Sequence, residues 1–501
     1  MIISQSFWTD AKINFSRVYL HNTQIDYQNC ISKIQSYIAD NSTELYDNMR
    51  DDMTHEDRKN ILIEYIREYL LKFKPIVAEY VTDGQMNYSM LEARLIDEIT
   101  NHGILTEAMT DDNITEIRIN DGTIPGGIWV EKGRKSQPLT DSLTGQPIYF
   151  KSQEDVAKFI NNLLKYSKVA MSTTDSLVNG TTIEGYRVAA TDSYATARTK
   201  ASPFKSPTCV IRKFSNKKYN LQDLIRFKTI STDMAKFMAL MPKIDLTAAV
   251  VGSTGSGKTI TLQAILDETP LNKRILLIQN PAEIDMSTVD ENGNIIRDVV
   301  SWEAKDLKGE FAKKNSSPTY PHLMDHSLRY TPHVFVFGEL RNDEEFFLSM
   351  KAANSGHHFY TTFHAENAKK AINRYVTAVM AGSGSASKDL VMETVCNNIK
   401  FIISQRRLAD GTRKVIGIDE ICGVEVKNGI TLPVVNSIFR FIPDPNGKDE
   451  NGNIKGYHAQ IGTVSSATQE HLLLSGATKD EIEIVTREAS FDNMIIGNYD
   501  I

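Results

Sequence analysis

Cysteine, long apolar runs and an excess of basic charge are scarce or missing in this sequence. The four cysteines, Cys30, Cys209, Cys396 and Cys422, lie far apart without a C-x-x-C pair, so neither a disulfide framework nor a zinc module is indicated. No apolar run is long enough to cross a bilayer, and the first residues lack the basic and apolar parts of a leader. We therefore expect a cytoplasmic protein. Because the formal net charge is −7, contact with nucleic acid or anionic lipid would need a local basic patch.

The length of 501 residues exceeds what one hydrophobic core supports and suggests about three domains. Changes of pattern along the chain predict where these domains lie. We expect a helical N-terminal domain at residues 1–105, an α+β domain at residues 106–220, an α/β domain at residues 221–425 and a C-terminal extension at residues 426–501.

The first of these regions is polar with helical periodicity. One apolar stripe recurs at helical spacing and is interpreted as core: Leu62, Tyr65, Ile66, Tyr69, Leu70 and Phe73. A capping box at Ser89 to Glu92 predicts a helix that Gly103 would close. The second region has short β-type runs at residues 114–120 and 128–131, a helical stretch at 154–165, and strands at 186–190 and 209–214.

The third region alternates helix and strand, as expected of a parallel sheet covered on both faces. Its candidate strands are Thr247 to Val251, Arg274 to Gln279, His333 to Phe337, His358 to Phe363, Phe401 to Gln405 and Lys414 to Ile418. Two hairpin turns are predicted, one at Asp410-Gly411 and one at Asn428-Gly429.

A phosphate-binding loop joins the first of these strands to a helix. Glycines let backbone N–H groups turn inward around an oxyanion, a lysine reaches the outer phosphates, and a threonine hydroxyl holds Mg²⁺. The residues are Gly252, Ser253, Thr254, Gly255, Ser256, Gly257, Lys258 and Thr259. The plain alternative is a glycine-rich surface turn, which the strand before and the helix after disfavour.

Three further side chains follow strands of the same sheet. Glu339 ends the apolar run from His333, which places it at the carboxyl edge with the phosphate loop, where it would orient or deprotonate the attacking water. Glu283 follows another strand and reaches the same edge, unless it is a solvated loop acid. His364 follows a third strand and would bond a γ-phosphate or a catalytic carboxylate, the alternative being a structural histidine.

A metal site made by His357, His358 and His364 is a weaker interpretation. An alternating strand separates His357 from His364 and points them to different faces.

The sequence resembles the secretion ATPase superfamily, the hexameric motors of type IV pili, type II secretion and conjugation-type type IV secretion. Four blocks carry the resemblance, in the family's order, and A-I-N-R at Arg374 and S-Q-R-R around Arg406 also fit. The blocks are G-S-T-G-S-G-K-T, N-P-A-E, S-L-R-Y-T-P-H-V-F-V-F-G-E-L-R and S-G-H-H-F-Y-T-T-F-H-A-E-N-A. The resemblance covers about residues 110 to 425.

The resemblance implies a RecA-like motor domain, an α+β domain on a mobile linker, six chains in a ring, and ATP with Mg²⁺ bound between the two domains. It also implies that arginines of the smaller domain complete the nucleotide site. The matching positions are Arg187 and Arg212, with Arg198 as a weaker match. A guanidinium suits this role because it forks onto two phosphate oxygens. Inner-membrane platform proteins are the implied partners, with the chain peripheral at the membrane.

Three departures leave the subfamily open. The acidic block begins with Gln279-Asn280 in place of two carboxylates, which questions metal binding by that strand. The four-cysteine zinc motif of type II secretion members is missing. The opening of the α+β domain is similar to conjugation-type members, whereas the long N-terminus is similar to pilus-assembly members.

Two other functions stay open at this point. A nucleic-acid translocase could use the same core, but it would need basic, aromatic-bearing loops. The sequence offers only the small basic patch of Lys213, Lys217 and Lys218, so no direct nucleic-acid binding is expected. A nucleotide-gated scaffold with little turnover is kept open by Gln279-Asn280.

Overall fold

The computed structural model describes most of the chain in two compact units, residues 1–217 and residues 218–501, and each is considered by itself. The described residues are 25, 27–48, 55–77, 80–82, 85–100, 102–133, 135–142, 145–167, 169–182, 184–200, 202–213, 218–280, 282–304, 318–383, 386–450 and 452–500. Among them, no helix is both long and apolar enough to span a membrane.

Helices dominate the described part of residues 25–100. Its elements are α1 (Tyr27–Asn48), α2 (His55–Phe73), β1 (Val81–Thr82), β2 (Gln85–Met86) and α3 (Tyr88–Thr100). The predicted stripe lies on α2, where Leu62, Ile66 and Leu70 are at most 3% exposed, whereas Phe73 is 44% exposed. Burial of the stripe in a local core with α1 and α3 is therefore confirmed for most of its members.

The predicted capping box at Ser89 is wrong. Helix α3 begins at Tyr88, and the Asn87 side chain accepts a hydrogen bond from Met90 N at 3.0 Å. Asparagine is as good an N-cap as serine and comes two residues earlier, so Ser89 lies inside the first turn. The helix ends at Thr100, and Gly103 instead starts a short 3₁₀ turn.

The rest of the first unit is a six-stranded antiparallel sheet in the order β5-β4-β3-β8-β7-β6. Its elements are α4 (Thr106–Thr110), β3 (Ile114–Ile119), β4 (Ile128–Lys132), β5 (Lys135–Pro138), α5 (Gln153–Leu164), β6 (Leu177–Thr181), β7 (Arg187–Thr191) and β8 (Thr208–Arg212). Val156 and Ile160 of helix α5 share one apolar cluster with Ile117 and Ile211 of the sheet, on one of its faces. The strands alternate, so the residues between these apolar positions share the opposite face.

The second unit contains a ten-stranded sheet in the order β11-β10-β12-β13-β9-β14-β15-β16-β17-β18. The first six strands in this order run parallel. Its strands are β9 (Ala248–Gly252), β10 (Ile275–Gln279), β11 (Val299–Glu303), β12 (Val334–Phe337), β13 (His358–Phe363), β14 (Phe401–Arg407), β15 (Arg413–Lys427), β16 (Ile430–Lys448), β17 (Ile454–Gln460) and β18 (Ile495–Ile496). Its helices are α6 (Leu221–Arg226), α7 (Thr232–Leu240), α8 (Lys258–Leu266), α9 (Tyr320–Ser327), α10 (Asp343–Asn354), α11 (Ala368–Ser383), α12 (Lys388–Asn398), α13 (Ser466–Leu474) and α14 (Lys479–Thr486).

The parallel sheet is covered on both faces, as predicted. Along β9, Ala248 and Val250 enter one apolar cluster while Ala249 and Val251 enter the other. This double burial explains why the parallel strands are continuous apolar runs. The α/β class is confirmed, and all six candidate strands are present to within a few residues, with β14 and β15 longer than predicted. Strand β11 was not predicted.

Both predicted hairpin turns are confirmed. Strands β14 and β15 pair antiparallel across Asp410-Gly411, and β15 and β16 pair across Asn428-Gly429. At the second turn Asn428 has φ 52° and Gly429 has φ 74°, the combination that a two-residue hairpin of matching twist requires.

A buried carboxylate connects the sheet to the C-terminal helices. Glu420, on β15, is 0% exposed and accepts hydrogen bonds from Ser465 N at 2.8 Å and Thr468 Oγ1 at 2.5 Å, next to α13. Burial would raise the pKa of Glu420, but the hydrogen bonds from Ser465 and Thr468 outweigh it, so the pKa lies below its ordinary value. The residue is therefore ionised at neutral pH.

We expect Glu420→Gln to lower the free energy of unfolding by about 1–3 kcal/mol, because the new amide leaves hydroxyl donors without an acceptor. Glu425→Gln, the same change at a partly exposed position of the same strand, should stay within about 0.5 kcal/mol. Urea unfolding measures both. Because the folded pKa is depressed, the stabilisation by Glu420 is present above its unfolded pKa and is lost as the pH falls through the folded value. Equal effects of the two changes would contradict this role.

Candidate functional site

The phosphate loop runs from Gly252, the last residue of β9, to Lys258, the first of α8. Gly255 and Gly257 have φ values of 72° and 93°, a region that side chains strongly disfavour. A Cβ on Gly252 would lie 2.2 Å from the carbonyl oxygen of Gln405. Glycine is therefore required at all three positions, and the first N–H groups of α8 are left to face an anion.

The residues of the loop have the chemistry needed to bind a polyphosphate. Lys258 is 7% exposed, and its Nζ donates to Ser253 O at 3.2 Å, so its ammonium lies against the loop. Within the described residues, the buried Ser256 Oγ and Gln405 Oε1 have no hydrogen-bond partner. A glycine cradle, a buried lysine and unsatisfied polar atoms beneath them are what a phosphate-binding site provides.

Glu339 and His364 meet at this edge of the sheet. Each follows a parallel strand, β12 or β13, and His364 Nε2 lies 3.2 Å from Glu339 Oε1. The other ring nitrogen, Nδ1, lies 3.1 Å from the carbonyl oxygen of Gly252, at the start of the phosphate loop. The imidazole thus bridges the carboxylate and the loop. Two contacts were predicted for His364, one with a γ-phosphate and one with a carboxylate. The structure shows the contact with a carboxylate, that of Glu339.

Charges around Glu339 keep it ionised. Burial would raise its pKa, but the hydrogen bond from Arg341 Nε, at 2.7 Å, and the charges of Arg341, Lys258 and His364 lower it below its ordinary value. A carboxylate that is ionised and close to Lys258 is available to accept a proton or to orient a water molecule.

His364 is under opposing influences. Burial and the charge of Lys258 lower its pKa, and the charge of Glu339 opposes them only in part. Both of its neighbours, Gly252 O and Glu339 Oε1, are acceptors. A neutral imidazole has a single N–H, so only the protonated ring donates to both. Because the charge of Lys258 contributes to the pKa of His364, a charged group that binds beside Lys258 would change that pKa.

Glu283 reaches the loop from the strand next to β12. The Thr259 hydroxyl donates to Glu283 Oε2 at 3.3 Å, so the hydroxyl predicted to hold Mg²⁺ lies beside a carboxylate. A hydroxyl and a carboxylate are the oxygen ligands that Mg²⁺ takes from proteins. This pair supplies the donor chemistry for such a site.

Gln279 has a role that the sequence did not indicate. It is 1% exposed, its Oε1 accepts from Glu283 N at 2.9 Å and Ile284 N at 2.7 Å, and its Nε2 donates to Ile284 O at 2.9 Å. An amide can both donate and accept here, which a carboxylate cannot. Gln279 therefore holds the segment at Glu283 and Ile284 by hydrogen bonds that an acid could not all make. This segment brings Glu283 to Thr259.

Two arginines of the site also escaped prediction as functional residues. Arg341 pairs with Glu339, and Arg374 Nη1 donates to the His364 carbonyl at 2.9 Å. Both lie in motifs that fit the family, but neither residue stands at a spacing that signals chemistry. His357, in contrast, lies away from this network, with Nδ1 2.9 Å from Ser355 Oγ and its ring against Phe335.

The arginines predicted for the nucleotide site lie in the first unit. Arg187 on β7 and Arg212 on β8 are directly opposite each other, on the sheet face away from α5. Glu116 on β3 is opposite Arg212 in the same row. Arg198 lies outside that row, exposed on the connection between β7 and β8. The structure therefore brings together two of the three arginines.

A family model described as "Type II/IV secretion system protein" matches residues 187–424, which include every candidate site residue. The match covers slightly less than half of the chain and confirms the resemblance of this region to the secretion ATPase superfamily. Curated relatives include the type IV pilus retractation ATPase PilT of Pseudomonas aeruginosa, 28% identical over 38% of this chain and 48% of that protein. The type IV secretion system protein VirB11 of Bartonella quintana is 27% identical over 37% of this chain and 49% of that protein.

An uncharacterised protein of Methanocaldococcus jannaschii is similar over a longer region. It is 26% identical over 64% of this chain and 54% of that protein. The chain spans about half the length of the curated relatives it matches. Among solved structures, the ATPase DotB of Legionella pneumophila is 20% identical, with a TM-score of 0.43 over 62% of this chain and 77% of that chain. The pilus retraction motor PilT with bound ADP is 18% identical, with a TM-score of 0.40 over 67% and 81%.

We expect Gln279→Leu to lower the free energy of unfolding by about 1–3 kcal/mol and to speed amide hydrogen exchange at Glu283 and Ile284, because both N–H groups lose their acceptor. Gln263→Leu is the matched control, since Gln263 makes one bond to the same segment, from Nε2 to Asp285 O at 3.1 Å. Its effect should be smaller and should not include those two amides. Unchanged exchange in Gln279→Leu would show that Gln279 acts only as core.

Proposed function

We propose that this chain is an ATPase whose site is the phosphate loop together with Glu339, His364, Glu283 and Thr259. The contact chain from Gly252 through His364 to Glu339 is the observation that carries the proposal, because it joins the phosphate loop to an ionised carboxylate. Phosphoryl transfer needs positioned phosphates, an oriented water molecule and charge stabilisation, and these residue types provide each.

Each side chain has a separate role in this proposal. The loop amides and Lys258 hold the phosphates of ATP, and Glu339 orients the attacking water and accepts its proton. His364 holds Glu339 against the loop, and Arg341 keeps Glu339 ionised. Thr259 and Glu283 would hold Mg²⁺, which when bound supplies positive charge against the phosphate oxygens.

Arg187 and Arg212 complete the site in the proposal, with Arg198 as a third contributor. Two arginines lie opposite each other on neighbouring strands, which places like charges side by side, and Glu116 opposite Arg212 also pairs with Arg118. A row of this kind favours binding of a polyanion such as the triphosphate. The resemblance to the secretion ATPase superfamily favours six chains in a ring, with the arginines engaging as the ring closes.

We further propose that hydrolysis powers type IV pilus biogenesis or secretion across the inner membrane, with conjugation-type type IV secretion as the alternative. The chain would act in the cytoplasm, peripheral to the membrane, and dock to platform proteins. The names of PilT and VirB11 among its relatives support these two processes equally.

The decisive experiment compares two substitutions in the full-length protein. Lys258→Ala should abolish ATP binding in a titration, because the loop loses its only lysine. Glu339→Gln should keep binding within a few-fold but reduce turnover by roughly 10²-fold or more, since the amide cannot accept the proton. Turnover that survives in Lys258→Ala would remove the phosphate loop from the mechanism.

Arg212→Ala should reduce turnover in the assembled protein by roughly 10-fold or more while leaving the oligomer intact. Arg118→Ala is a matched control on the same sheet face, where Arg118 pairs with Glu116 at 2.6 Å, and it should have little effect. Phosphate release and sedimentation velocity give the two readouts. If both variants lose activity equally, the charge of the face, and not Arg212, is responsible.

A further inference from the structure

The hairpin formed by β14 and β15 contacts the phosphate loop. Arg413, the first residue of β15, donates from Nε to the carbonyl oxygen of Gly255 at 3.0 Å. A Cβ on Gly257 would lie 3.2 Å from Arg413 Cδ and 3.1 Å from Gln405 Nε2. The hairpin thus packs directly against the two residues of the loop that adopt left-handed conformations.

The direction of this hydrogen bond determines where the loop amides point. In a trans peptide the C=O and the following N–H lie on opposite sides, so fixing the Gly255 carbonyl towards Arg413 turns the Ser256 N–H away from it. On that side the Ser256 N–H donates to the carbonyl oxygen of Ser253 at 3.3 Å, the same oxygen that accepts from Lys258 Nζ. The bond from Arg413 therefore fixes the orientation of a peptide at the centre of the loop. The restraint comes from a group outside the cradle.

We propose that Arg413 is a positioning residue that presets the phosphate loop for nucleotide through its Nε–H bond to Gly255. The proposal rests on the nucleotide site proposed above. Glycine-rich loops lose much conformational freedom on ordering, so a restraint that acts before the ligand arrives lowers the cost of binding. Lys258 also holds the loop, through Ser253 O, but with the same ammonium that is expected to meet the phosphates.

Substitutions at position 413 separate the hydrogen bond from the charge. Glutamine places its Nε2 as many bonds from the backbone as the arginine Nε, so Arg413→Gln keeps a donor and removes the charge. Methionine has a similar length and no donor, so Arg413→Met removes both. Arg406→Met, at an exposed position on the neighbouring strand, controls for loss of an arginine from the hairpin.

We expect Arg413→Met to weaken ATP binding by about tenfold, the effect of losing one net hydrogen bond, while Arg413→Gln stays within about threefold of the unsubstituted protein. In the nucleotide-free protein, Arg413→Met should also speed hydrogen exchange in residues 253–257, and Arg413→Gln should not. Arg406→Met should leave both measurements unchanged. Thermal unfolding of each variant identifies general destabilisation.

Two results would overturn the proposal. Equal loss of binding in Arg413→Gln and Arg413→Met, with normal exchange in both, would show that the guanidinium acts by its charge on the nucleotide. Normal binding and exchange in Arg413→Met would show that the contact with Gly255 positions nothing. If the unsubstituted protein bound no nucleotide, the proposed function would fail, while the exchange measurement would still test the restraint by Arg413.

Discussion

The close approach of two neighbouring backbones underlies the site. Strands β9 and β14 pair in parallel, with Gly252 beside Gln405, and there is no room for a side chain between them. This contact ends β9 and turns the chain into the phosphate loop. Because β12 and β13 run in the same direction, Glu339 and His364, which follow them within two residues, reach the same edge. The site is thus a consequence of strand direction combined with one position that admits only glycine.

Much of this arrangement could be predicted from the sequence. Continuous apolar runs of four to six residues indicated buried parallel strands, and residues directly after them were expected at one edge. The positions of Glu339 and His364 follow from that rule alone. The glycine spacing indicated the loop, since only glycine tolerates the backbone angles found at Gly255 and Gly257.

What could not be predicted depends on contacts that no sequence pattern indicates. Gln279 looked like a lost acid because its bonds to Glu283 and Ile284 need a chain reversal that no local pattern reveals. Arg413 is 158 residues from the carbonyl it contacts. The capping error at Ser89 has a local cause: asparagine and serine compete for the same position, and propensity does not rank them. Strand β11 is an edge strand with only partly buried residues, so it lacks the apolar run that identified the others.

Strand β15 has an additional consequence. It begins at Arg413, against the phosphate loop, and continues for fifteen residues to the turn at Asn428. At about 3.3 Å per residue, such a strand spans roughly 45–50 Å. Its pairing is irregular between Val415 and Gly417 and again between Ile421 and Val424. At the far turn Val426 and Ile430 are 70% and 56% exposed. The same strand that touches the loop thus ends at a distant, exposed turn, where a spectroscopic probe can be attached without disturbing the loop itself.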